Sequence, residues 1–115
     1  MSEVIIDRED LMERIGGDME LLEELLELFD EDYPELMGEI RSAVDSRDGE
    51  KLKRSAHTLK GAVGNFAAIK AHHLAYQLEK MGENNDFSNA FMLVEQLEQA
   101  IDEFKSVLKE VTPSV

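Results

Sequence analysis

The chain has 115 residues, with 26 acidic against 12 basic side chains, a formal net charge of -14 and a pI near 4.5. Its length suits one domain able to bury roughly two thirds of its unfolded surface, too little for a nucleotide-binding catalytic domain beside a partner domain. The lack of Cys excludes a disulfide scaffold and any thiolate metal site, and the acidic balance disfavours nucleic acid and anionic membrane surfaces. Val4-Ile5-Ile6 is far too short an apolar run for a signal peptide or a membrane span, so the expectation is a soluble, cytoplasmic domain.

Apolar spacing is helical throughout, with no sustained alternation of period two. A short first helix is predicted after Asp7, burying Leu11 and Ile15 and stopping at Gly16-Gly17. Asp18 caps a second helix with the stripe Leu22, Leu25, Phe29, Tyr33, Leu36, Ile40, Val44. Pro34 interrupts the hydrogen-bond ladder, but the stripe stays in phase across it, so the segment reads as one kinked helix. After the turn 45–49, Asp48 caps a third helix running to Gly64 or Asn65. A fourth buries Ala71, Leu74, Leu78 and Met81 and ends at Gly82, and a fifth carries Phe87, Ala90, Val94, Leu97, Ile101, Phe104, Leu108 and Val111. Four long amphipathic helices with short connections make an all-α, antiparallel up-down four-helix bundle behind a short leading helix. The whole chain reads as one domain, with residues 1–6 and 112–115 as loose ends.

Charge is unevenly spread along this bundle. Residues 51–78 contain no acid, yet carry Lys51, Lys53, Arg54, Lys60, Lys70 and all three histidines. At 100° per residue, Lys53, Arg54, Lys60, Gly61 and Gly64 all fall within about 60° of His57, while Leu52, Leu59, Ala62 and Val63 lie on the opposite side. His57 is therefore expected on the solvent face and not in the core. Each interior glycine costs about 0.8–1 kcal/mol relative to alanine, so Gly61 and Gly64 on that face suggest a surface cleared for close approach. Lys60, one turn from His57, can pair with an incoming phosphoryl group, and Lys53 and Arg54 extend the positive field toward an acidic partner.

The run Ala56-His57-Thr58-Leu59-Lys60-Gly61 resembles the A-H-x-L-K-G signature of histidine-containing phosphotransfer (HPt) domains. The likeness extends to Ile15-Gly16-Gly17-Asp18, Leu28-Phe29 and Asp32-Tyr33-Pro34-Glu35-Leu36, which resemble the lead-in of HPt domains in hybrid sensor kinases. One departure is Ala67-Ala68, where such domains often have Gly-Ala. The resemblance implies a phosphorelay intermediate. His57 would accept a phosphoryl group from a phospho-Asp receiver domain of a response regulator and pass it to another receiver, with Lys60 stabilising it. It also implies a monomer without an ATP site or cofactor of its own, the Mg²⁺ being brought by the receiver. A domain excised from a hybrid kinase, with one receiver in the same polypeptide, is the expected context.

Two other readings share these helices: a docking or inhibitory bundle that has no need of His57, and the phosphoacceptor domain of a chemotaxis-type kinase. A metal site at His72-His73 is disfavoured, because adjacent helical residues point about 100° apart and cannot chelate from one face. Hairpin counting instead brings His73 close to His57, among the partner-docking residues with Lys53, Arg54, Gly61 and Gly64.

Overall fold

The computed structural model describes residues 4–111, and among these every regular element is helical. The helices are α1 (Arg8–Ile15), α2 (Met19–Ser46), α3 (Gly49–Gly64), α4 (Ile69–Glu83) and α5 (Ala90–Val111). Three begin where a capping aspartate is expected. The carboxylates of Asp7, Asp18 and Asp48 accept from the backbone N–H groups of Asp10, Leu21 and Lys51, each at 3.1 Å, satisfying donors that a helix start leaves orphaned. Gly16 ends α1 at φ 60°, a left-handed turn that an L side chain adopts at a cost.

Short connections force α2 to α5 into antiparallel neighbours. Each packs on the next in sequence, α2 closes the ring against α5, and α1 lies on α2. α2 runs unbroken through Pro34, which lies on an exposed side with Asp30, so the Asp30 carbonyl that loses its ladder donor is open to water. The core centres on Phe104, with ring centroids of Phe29 and Phe66 at 5.4 and 5.6 Å. Leu52, Leu59, Leu78, Leu97 and Ile101 belong to the same core cluster and are closed to solvent.

Four details differ from the sequence reading. On α2, Met37 and Ala43 are buried while Leu25, Tyr33, Leu36 and Val44 are only half-buried, because that helix faces α3 on one flank and α5 on the other. α4 passes through Gly82 instead of ending there, and Gly82 is buried where α4 crosses α3 at Gly49. α5 starts at Ala90, not Phe87: Asp86 accepts from the backbone N–H and hydroxyl of Ser88 at 3.0 and 2.7 Å, a local turn that competes with helix. Ile6 is buried in the core, and the Asp7 N–H donates to the Ala67 carbonyl at 3.0 Å, so packing begins before α1. The expected loose ends 1–3 and 112–115, and the Val111 side chain, lie outside the described residues.

Candidate functional site

α3 presents its chemistry through the phase of its apolar stripe. Leu52, Ala56, Leu59 and Val63 are fully buried, and this turns His57 outward with 66% of its side chain exposed. Lys53, Arg54 and Gly61 share the exposed side, and a Cβ built on Gly61 meets nothing within 4 Å. Gly64 is half-buried, with its Cβ direction 3.5 Å from His72 Cδ2.

The feature that sequence reasoning missed is Glu79. This α4 carboxylate bridges two α3 side chains: Oε2 lies 3.1 Å from His57 Nδ1, and Oε1 lies 2.8 Å from Lys60 Nζ. Its side chain is only 14% exposed. Burial pushes its pKa up, but hydrogen bonds and charge from Lys60 and His57 outweigh that and hold the carboxyl below the usual carboxylate range. An ionised carboxylate has no proton to donate, so the proton in the contact with His57 sits on Nδ1. Nδ1–H therefore donates to Glu79, leaving Nε2 as the ring nitrogen turned away from this anchor.

Lys60 is less free than the sequence implies. Its side chain is 20% exposed, its ammonium is ion-paired with Glu79, and Nζ stands 5.2 Å from the centre of the Tyr76 ring. The pairs His57–Glu79, Lys60–Tyr76 and Gly64–His72 define one antiparallel register between α3 and α4. That register is centred at Ala68, not at Asn65, and it corrects the expected neighbourhood of His73. The α4 residue level with His57 is Glu79. His73 lies nearer the α3–α4 turn, where its ring nitrogen is 3.4 Å from Gln77 Nε2, in a groove that also includes Tyr76, Lys80 and Met92. His72 takes the place on the α3 side. Its pKa is lowered, first by burial and then by the charges of Lys60, His73 and Arg14. The turn itself needs Ala67 at φ 51°, the left-handed conformation natural to glycine, which is where this chain departs from the Gly-Ala pattern.

Two grooves flank the histidine-bearing face. One, of about 300 Å³, is lined by Arg14, Lys60, Gly61, Gly64 and His72 among others. The other, of about 230 Å³ between α2 and α3, is mostly apolar, with Leu25, Leu28, Phe29, Leu36 and Ala62 beside Thr58. The described residues include no group of three or more His, Asp or Glu side chains placed to hold a metal ion, and no helix long and apolar enough to cross a membrane.

Comparison with curated proteins gives no match. Among solved structures, the crystal structure of histidine-containing phosphotransfer protein B (HptB) from Pseudomonas aeruginosa is similar in fold, with a TM-score of 0.85 over 96% of each chain at 22% identity. The family model described as Hpt domain matches residues 24–107, which include all of α3 and α4. By that match, over well more than half its length, the chain belongs to the Hpt domain family.

Proposed function

We propose that His57 is the phosphorylated residue of this domain, taking the group from the aspartyl phosphate of a response-regulator receiver and returning it to another. The observation that carries this reading is the split environment of one imidazole: Nδ1 is anchored to a buried, ionised carboxylate while the ring stands 66% exposed. In the forward step the Nε2 lone pair attacks phosphorus, the P–N bond forms, and the bond to the aspartyl oxygen breaks with its electrons leaving on the carboxylate. The ring becomes cationic as the bond forms, and the Glu79 carboxylate at Nδ1–H is already in place to offset that charge. Lys60 lies one turn along α3, and its ammonium can neutralise phosphoryl oxygens.

The remaining site residues serve approach. Gly61 and Gly64 leave the α3 face bare, Lys53 and Arg54 steer the acidic pocket of the receiver, and the apolar groove between α2 and α3 supplies the contact area. The receiver brings the aspartate and its Mg²⁺, so the domain needs no cofactor or ATP site of its own for this step. Phosphoryl transfer then depends on positioning and charge, which two docked proteins can assemble between them.

Incubation with a phosphorylated receiver and Mg²⁺ should place an acid-labile, base-stable phosphate on this domain. His57→Gln should remove the label while circular dichroism stays helical, and Lys60→Ala, which deletes a hydrogen bond to a charged group, should slow transfer about 10–100-fold. Equal labelling of the His57→Gln variant overturns the assignment.

A further inference from the structure

Lys60 is held by two α4 side chains of different chemistry. Glu79 Oε1 lies 2.8 Å from its ammonium, and the Tyr76 ring centre lies 5.2 Å from it. Tyr76 is 40% exposed, with the Lys80 ammonium also over its ring at 5.6 Å. A lysine side chain has four flexible methylenes, and free on a surface its ammonium samples many positions. Here one flank of that range is closed by an aromatic face.

The two contacts respond differently to a phosphoryl group on His57. The Glu79 carboxylate competes with it, because both are anions seeking the same N–H donors. The Tyr76 ring does not compete: it attracts the cation through its quadrupole and accepts no strong hydrogen bond, so the ammonium can rest on it while donating elsewhere. When Lys60 turns from carboxylate to phosphoryl, the ring contact is the restraint that can persist. Resting on the reading that His57 carries phosphate, we infer that Tyr76 is a positioning residue, keeping the Lys60 ammonium beside His57 before and after phosphorylation.

The contact is tested first in the full chain without phosphate. In ¹³C-labelled protein, the ring current of Tyr76 should displace the Lys60 ε-protons upfield of those of the exposed Lys53 on the same helix face. The displacement should persist in Tyr76→Phe and vanish in Tyr76→Leu; undisplaced wild-type protons overturn the proposal. Transfer from a phosphorylated receiver is then followed in the same proteins. Tyr76→Leu should slow it about five-fold, Tyr76→Phe should restore it, and Tyr76→Leu should add nothing in a Lys60→Ala background. Equal slowing with and without Lys60 makes Tyr76 a docking contact and overturns the proposal, as does an unaffected Tyr76→Leu rate. Wild-type protein that takes up no label overturns the phosphotransfer reading and this role together, whereas labelled protein indifferent to residue 76 overturns this role alone.

Discussion

Replacing Gly82 with alanine puts a methyl group into the crossing of α3 and α4. The new Cβ would stand 2.6 Å from the Gly49 carbonyl oxygen and 2.6 Å from the Lys53 backbone nitrogen. Both are main-chain atoms, so no side-chain rotation relieves the overlap. Ordinary contact begins at 3.4 Å, so the helices must part by roughly 0.8 Å, an over-packing that costs about 1–3 kcal/mol. Alanine recovers about 0.8–1 kcal/mol of helix propensity, leaving a net loss of up to about 2 kcal/mol. Gly38→Ala is the matched control. It lies inside α2 with nothing within 4 Å of its Cβ direction, and should stabilise by about 0.8–1 kcal/mol. Urea unfolding of the two variants should therefore give midpoints on opposite sides of the wild type. Glu79 sits less than one turn before Gly82, so parting the helices also draws its carboxylate from His57 and Lys60, and phosphotransfer should fall in Gly82→Ala. A Gly82→Ala midpoint above wild type, matching Gly38→Ala, refutes the close crossing.

Two further outcomes are expected. Gly61→Ala should raise stability by about 0.8–1 kcal/mol, because its Cβ meets nothing within 4 Å, yet slow transfer by crowding the face a receiver closes on; transfer at the wild-type rate would show that the bare surface is not used. Glu79 is held below the usual carboxylate range in the fold, against burial, by Lys60 and His57. The unfolded chain thus binds this proton more readily, and the contribution is complete at neutral pH and lost as pH falls through the carboxylate range. The melting-temperature gap between wild type and Glu79→Gln should accordingly narrow on acidification, and a gap independent of pH removes the linkage.

Much of this bundle was legible from local pattern. Capping aspartates 7, 18 and 48 mark helix starts because a short carboxylate satisfies orphan N–H groups wherever it stands, independent of the rest of the chain. The outward phase of His57 followed from Leu52, Leu59 and Val63, since burying one stripe of a helix fixes the direction of every other residue on it. Apolar spacing alone extends α5 back to Phe87, three residues beyond its start at Ala90, because the Asp86–Ser88 turn that breaks it is a side-chain effect that periodicity does not register.

Partnerships between helices depend on axial register, and register follows from the turn. Ala67 in a left-handed conformation sets the α3–α4 hairpin centre at Ala68, three residues beyond Asn65. That shift exchanges His73 for Glu79 at the level of His57. Gly82 against Gly49 then brings the two backbones close enough for one carboxylate to span histidine and lysine together. The sequence by itself determined the helices, their buried faces and the exposed imidazole, all matters of short-range periodicity. Only the tertiary structure decided which α4 side chains orient that imidazole and restrain its neighbouring cation, because a displacement of a few residues along a helix axis leaves amphipathic pattern intact and changes every contact across the interface.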